Sequence, residues 1–192
     1  MPRLFTAIEL PEALREDLSA LEAPLPGAHW THEDNNLHIT LRFAGDVDNR
    51  TADEFAAELS SIDLDSFTLR ISGVGAFGGN GPRILYANVA PSPQLEALAR
   101  AHERAARNAG LAPEGRTFKA HVTLARMRRG RGEAVARWLQ RHARFASAPF
   151  AVTRFMLMSS RPKTGGGPYV EEAAYPLQGG AAFLGVDAES GY

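Results

Sequence analysis

The chain has 192 residues, 44% of them apolar, no cysteine, and a formal net charge of −1. That length and apolar content suffice for one core or two packed lobes, and the missing cysteine excludes disulfide stapling, thiolate catalysis and cysteine-ligated zinc or iron–sulfur sites. No apolar run approaches the roughly 18 residues of a membrane span, and the N-terminus lacks the basic start and apolar stretch of a secretory leader, so a membrane-free cytoplasmic protein is expected.

Residues 3–10 read as a strand. Pro11 then suits the first turn of a helix with Leu14, Leu18 and Leu21 at helical spacing, closed by Pro24 and Pro26. His29 and His32 follow in a polar, turn-rich stretch that reads as a solvated loop, their spacing being too short for a helical metal pair. Residues 37–44 form a strand, and Thr51 with Glu54 makes a capping box opening a helix with Phe55, Leu59 and Ile62 inward. Strands are expected at about 66–77 and 83–90, separated by the turn Gly78-Gly79-Asn80-Gly81-Pro82. Within the first of these, Gly73-Val74-Gly75-Ala76-Phe77-Gly78 satisfies the G-x-G-x-x-G pattern, but no helix follows it, so a dinucleotide site is not expected.

In the second half, residues 93–108 read as a helix with Leu95, Leu98, His102 and Ala105 on one face and Gly110 as its stop, which makes His102 structural. Residues 118–127 form a strand, 133–143 a helix buried through Val135, Trp138 and Leu139, and 149–159 another strand. A glycine-rich loop from Pro162 to Pro168 leads to a closing strand at 169–177, and 179–192 reads as a loosely held tail.

Two of these strands carry the same phrase, Leu37-His38-Ile39-Thr40-Leu41 and Ala120-His121-Val122-Thr123-Leu124. Alternate side chains of a strand share a face, so each histidine sits beside its threonine while Ile39, Leu41, Val122 and Leu124 enter a core. The sequence offset from His38 to His121 equals that from Phe67 to Phe150, and the offset from Leu4 to Leu85 is nearly the same. The chain therefore reads as two copies of strand, helix, histidine strand, helix, strand, at about 3–79 and 84–162, in a single bilobal domain of residues 1–178. A lone strand histidine is most often a packing residue, but joint survival of His and Thr in a diverged repeat favours a shared site. Zinc needs three protein ligands as a rule, and neither phrase brings a third at strand spacing, so no metal is expected.

Charge is unevenly spread. Residues 1–66 carry 14 acids against 4 bases, whereas residues 100–144 carry 12 bases against 3 acids. The basic run Arg126, Arg128, Arg129 and Arg131, next to the second histidine phrase, reads equally as a polyanion-attracting surface or as a solvated arginine face.

His38-Ile39-Thr40-Leu41-Arg42-Phe43, His121-Val122-Thr123-Leu124-Ala125-Arg126, the opening Arg3-Leu4-Phe5-Thr6-Ala7-Ile8-Glu9-Leu10-Pro11 and the loop near Ser160-Arg161 resemble the two-histidine phosphoesterase superfamily, most nearly its RNA 2′,3′-cyclic phosphodiesterase (2′-5′ RNA ligase) branch. The resemblance covers residues 3–177 and departs at Lys119-Ala120, where a proline commonly precedes the histidine. It implies a two-lobed α+β fold, each lobe an antiparallel sheet backed by helices, with an active cleft between the sheets. It also implies cofactor-free, metal-free hydrolysis of a terminal 2′,3′-cyclic phosphate on RNA to a 2′-phosphate, with His38 as proton donor and His121 as acceptor; a monomer is expected.

The residue chemistry suits that reaction. One neutral imidazole can take the proton of the attacking water while a protonated one donates to the departing ribose oxygen, and Thr40 and Thr123 can hydrogen-bond the non-bridging oxygens. For a cationic ligand, periodicity favours Arg42, which lies four residues after His38. The resemblance favours Arg126, five after His121, which needs a twist or bulge to reach the same face. Phe5, Trp30 and Phe43 are candidates to stack a base, although Phe43 shares the predicted core face with Leu41. The alternatives are a phosphoesterase of small cyclic nucleotide-type substrates and a non-catalytic RNA-binding module.

Overall fold

A computed structural model describes residues 1–31, 37–79, 81–128, 132–161, 163 and 167–184. His32, Asn80, Arg129, Arg131, most of the glycine-rich loop and residues 185–192 of the expected tail lie outside that set. Chain order is β1 (Arg3–Glu9), α1 (Glu12–Ser19), β2 (Ala28–Trp30), β3 (His38–Asp46), α2 (Asn49–Ser60), β4 (Phe67–Leu69), β5 (Ile71–Phe77), β6 (Ile84–Val89), α3 (Pro93–Asn108), β7 (His121–Met127), α4 (Gly132–His142), β8 (Phe150–Val152), β9 (Arg154–Ser160), β10 (Val170–Pro176) and α5 (Ala181–Leu184).

The fold is α+β with an antiparallel sheet in the order β10-β9-β1-β3-β7-β6-β5, β2 lying against β7. Its two halves, β10-β9-β1-β3 and β7-β6-β5, meet at one register pair, Ile39 opposite Val122. A separate two-stranded ladder joins β4 to β8, with Thr68 opposite Ala151 at its centre. Both pairs have the sequence offset that relates His38 to His121, so equivalent positions of the two repeats face each other at both junctions.

The expected strands at 66–77 and 149–159 are each broken in two, at Arg70 and Thr153. Each break hands the chain to the opposite half: β5 pairs with β6, and β9 pairs with β1. Each half-sheet therefore combines strands from both halves of the chain. Helices cross over too, since α3 follows β6 yet packs against β3 and α2. On the other half, α4 packs against β5, and Trp138 Nε1 donates to the Leu21 carbonyl at 2.9 Å.

Local signals differ from expectation at several points. The first helix stops at Ser19, ahead of Pro24 and Pro26. Asp48, not Thr51, caps α2: its carboxylate accepts from the Thr51 N–H at 2.8 Å, while Glu54 pairs with Arg50 at 2.9 Å. Residues 181–184 of the expected tail form a short helix. The G-x-G-x-x-G stretch lies in the β5–β6 hairpin, where a side chain at Gly75 would meet the Tyr86 ring at 2.5 Å, so that glycine makes room for an aromatic ring. His102 is fully buried, as expected for a structural residue, with Nδ1–H donating to the Leu98 carbonyl at 2.8 Å.

Candidate active site

Ile39 and Val122 are both 0% exposed and belong to the helix-backed core. Alternation therefore turns His38, Thr40, His121 and Thr123 to the other face, where all four are half-buried. Around the Ile39–Val122 pair the antiparallel register sets His38 across from Thr123 and Thr40 across from His121. The four predicted residues thus form one square on the sheet, with core-filling aliphatic side chains beneath it.

The two histidines differ in their bonding. His38 Nε2 lies 3.1 Å from Thr40 Oγ1. His121 Nδ1–H donates to the Lys119 carbonyl at 2.7 Å, so in the neutral ring Nε2 carries the lone pair. Burial pulls the His121 pKa below its ordinary 6.5; the bond to the Lys119 carbonyl opposes that, and the Lys119 ammonium adds a further depression. That favours the neutral ring near neutral pH.

Aromatic rings hold both imidazoles. Phe5 and Tyr169 lie 5.0 and 5.2 Å from the His38 ring, and Phe77 and Tyr86 lie 5.0 and 5.4 Å from the His121 ring. Phe5 is only 3% exposed, so the residue expected as a base platform instead packs under His38. Lys119 Nζ donates to Tyr86 Oη at 2.7 Å and sits over the Phe77 and Tyr86 rings at 5.1 and 4.9 Å. Lys119, Phe77, Tyr86 and Tyr169 escaped the sequence reading. Tyr86 was findable, since it stands as far beyond Phe5 as Leu85 stands beyond Leu4.

The arginine expectation from periodicity is corrected. In the β1 ladder Thr6 opposes Arg42 and Ala7 opposes Thr40, which leaves Leu41 as an extra residue, and beyond this bulge the alternation is out of phase. Arg42 is consequently 8% exposed on the helix side, where Nε pairs with Glu103 at 2.6 Å and the guanidinium also donates to the Ala112 and Phe43 carbonyls. Phe43, expected in the core, is 39% exposed instead, with the Arg3 guanidinium 4.9 Å over its ring.

The same bulge recurs in β7. Leu85 opposes Ala125 and Tyr86 opposes Thr123, so Leu124 is the extra residue. Ala125 and Met127 are buried while Arg126 is exposed, which puts Arg126 on the face of His121 and Thr123. Trp30 faces the core, its ring 5.7 Å from that of Trp138, and is no base platform. Among the described residues no three His, Asp or Glu cluster as a metal site, and two shallow surface hollows, beside Leu69 and beside Leu25, lie apart from both histidines.

The chain is similar to known proteins over most of its length. The chain is 35% identical over 120 residues to the RNA 2′,3′-cyclic phosphodiesterase of Aeropyrum pernix, covering 62% of this chain and 66% of that protein. It is 30% identical over 161 residues to the protein of the same name in Archaeoglobus fulgidus, covering 82% and 90%. The crystal structure of E. coli LigT complexed with 3′-AMP superposes with a TM-score of 0.73 at 25% identity, covering 92% of this chain and 98% of that one. A Thermus thermophilus protein, TT0787, at 23% identity, shares the fold with a TM-score of 0.74 over 92% and 98%. Since the 2′-5′ RNA ligase superfamily model matches residues 10–164, a span that includes both histidine strands and their bulges, the chain belongs to that superfamily.

Proposed function

We propose that this protein hydrolyses the terminal 2′,3′-cyclic phosphate of RNA to a 2′-phosphate, with His38 as proton donor and His121 as proton acceptor. The observation that carries the reading is the square of His38, Thr40, His121 and Thr123 around the Ile39–Val122 pair, in which His121 presents an unprotonated Nε2. Water attacks phosphorus and loses its proton to His121 Nε2. The bond from phosphorus to the ribose 3′ oxygen breaks, and that oxygen takes a proton from His38. Thr40 and Thr123 donate to the non-bridging oxygens, and Arg126 supplies positive charge where negative charge develops.

The names of the Aeropyrum and Archaeoglobus relatives support the substrate, and the 3′-AMP bound to the E. coli neighbour supports a nucleotide-binding face. With a 5′-hydroxyl RNA end in place of water as the attacking nucleophile, the same donor and acceptor would join strands through a 2′-5′ bond. Dilute ends in water favour hydrolysis. The acting unit is a single bilobal domain of residues 1–178, monomeric and cytoplasmic. Incubation with an RNA ending in 2′,3′-cyclic phosphate, in the presence of chelator, should yield a 2′-phosphate end. A 3′-phosphate product, or an untouched cyclic end, would refute the assignment.

A further inference from the structure

The short strand β2, which the sequence reads as loop, lies against β7 with Ala28 opposite Met127, His29 opposite Arg126 and Trp30 opposite Ala125. Directly opposed residues of an antiparallel ladder project to the same face. Trp30 turns to the core, where its Nε1 donates to the Ala23 carbonyl at 3.0 Å, so His29 turns the other way, beside Arg126. One step along, the Arg128 N–H donates to the Gly27 carbonyl at 2.8 Å, which extends the register, and Arg128 is exposed beyond the buried Met127.

Arg126, His29 and Arg128 therefore form a row that starts next to Thr123 and leads outward on the face bearing His121. All three are exposed, and among the described residues neither Arg126 nor Arg128 pairs with a carboxylate. On the other half-sheet the first histidine strand carries no such row among the described residues. There the corresponding face is an apolar patch of Phe5, Ala7, Met156 and Met158 with Tyr169 against it, and Phe43 holds the place in the first histidine strand that Arg126 holds in the second.

The geometry points to a second anion subsite, in which His29 and Arg128 bind the phosphodiester immediately 5′ of the reacting group. This rests on the cyclic-phosphate reading above. A 2′,3′-cyclic phosphate ends its chain, so the remaining RNA leaves the site in the 5′ direction only, and the row with its two arginines offers it a charge-complementary path leading outward from Thr123. Arg126 and Arg128 are two residues apart on extended backbone, about 6.6 Å, a spacing comparable with successive phosphates of a stretched single strand. The occupant is single-stranded RNA, read through its backbone and without regard to base sequence.

Two substrates separate the possibilities: a nucleoside 2′,3′-cyclic phosphate, and a dinucleotide carrying the same terminus with one internal phosphodiester. The wild-type protein should prefer the dinucleotide in kcat/KM, and His29→Ala/Arg128→Ala should lower that preference about tenfold, as loss of charge-assisted hydrogen bonds implies. The salt dependence of dinucleotide binding should also flatten by about 0.7 in log–log slope per lost phosphate contact. A methylphosphonate at the internal linkage removes the charge without touching the protein; it should penalise the wild type and leave the double variant indifferent. Turnover of both substrates with no chain-length preference, or a preference that survives in the double variant, overturns the subsite while leaving the cyclic-phosphate reading intact. Turnover of neither by the wild type removes that reading and the subsite with it.

Discussion

Leu41 and Leu124 occupy the same place in the two histidine strands, each three positions after its histidine, and each is the unpaired residue of a bulge. Each bulge shifts the side chains beyond it by one step of the pleat. In β7 the shift brings Arg126 to the face of His121; in β3 it sends Arg42 into the helix layer and brings Phe43 out. A shared backbone device therefore produces a cationic end on one half of the site and an aromatic end on the other.

Arg126 and Arg42 should separate cleanly under mutation. Arg126→Ala should lower kcat/KM at unchanged thermal stability. Arg42→Ala leaves Glu103 without its cationic partner and removes the donor to the Ala112 and Phe43 carbonyls, and should cost about 2–3 kcal/mol of stability in a denaturant titration. Equal melting temperatures for the two variants would contradict the bulge argument.

Alanine at His38 or at His121 should reduce single-turnover hydrolysis by a factor of roughly 10² or more, the usual contribution of a positioned acid or base. Circular dichroism should be unchanged, because neither ring fills the core. A variant with near-normal turnover would strip that residue of its role.

The acid limb of the pH–rate profile should lie below the ordinary imidazole value of 6.5, because burial and the Lys119 charge both disfavour protonated His121. The rate should rise as His121 loses its proton and fall at higher pH as the donor is deprotonated. Lys119→Gln removes one source of the depression, so its acid limb should move upward; Arg126 on the same strand, Tyr86 on β6 and His38 on β3 remain. An unmoved limb in this variant would show that the ammonium is electrostatically silent.

Gly75→Ala gives an independent check on the same assembly. Its new methyl would overlap the Tyr86 ring, which must swing away and release Lys119 Nζ. Because the ammonium facing His121 is then displaced, the acid limb of this variant should also move, while circular dichroism stays native.

His102 predicts the acid stability of the molecule. Burial lowers its pKa from 6.5 to about 4. Unfolding frees the ring to take up a proton that the folded protein resists, so stability is full above pH 6.5 and declines as pH falls toward 4. The loss approaches about 3 kcal/mol at the lower end. Against His102→Leu, the wild type should show this extra pH dependence in its unfolding free energy; parallel curves for the two would refute it.

Both histidine phrases, the strand and helix order and the core residues were legible from periodicity and internal repetition, because alternation and helical spacing depend on neighbours a few residues away. The placement of Arg42, Phe43 and His29 was not. A bulge exists only relative to the partner strand, so the phase change at Leu41 and Leu124 leaves no mark in the spacing of the strand that carries it. Likewise a three-residue strand such as β2 is too short to show a period, and its His29 gains meaning only through Arg126 opposite. The exchange of β5 and β9 between half-sheets obeys the same rule: sequence repetition reports which segments are alike, while hydrogen-bond pairing between distant segments decides which of them share a sheet.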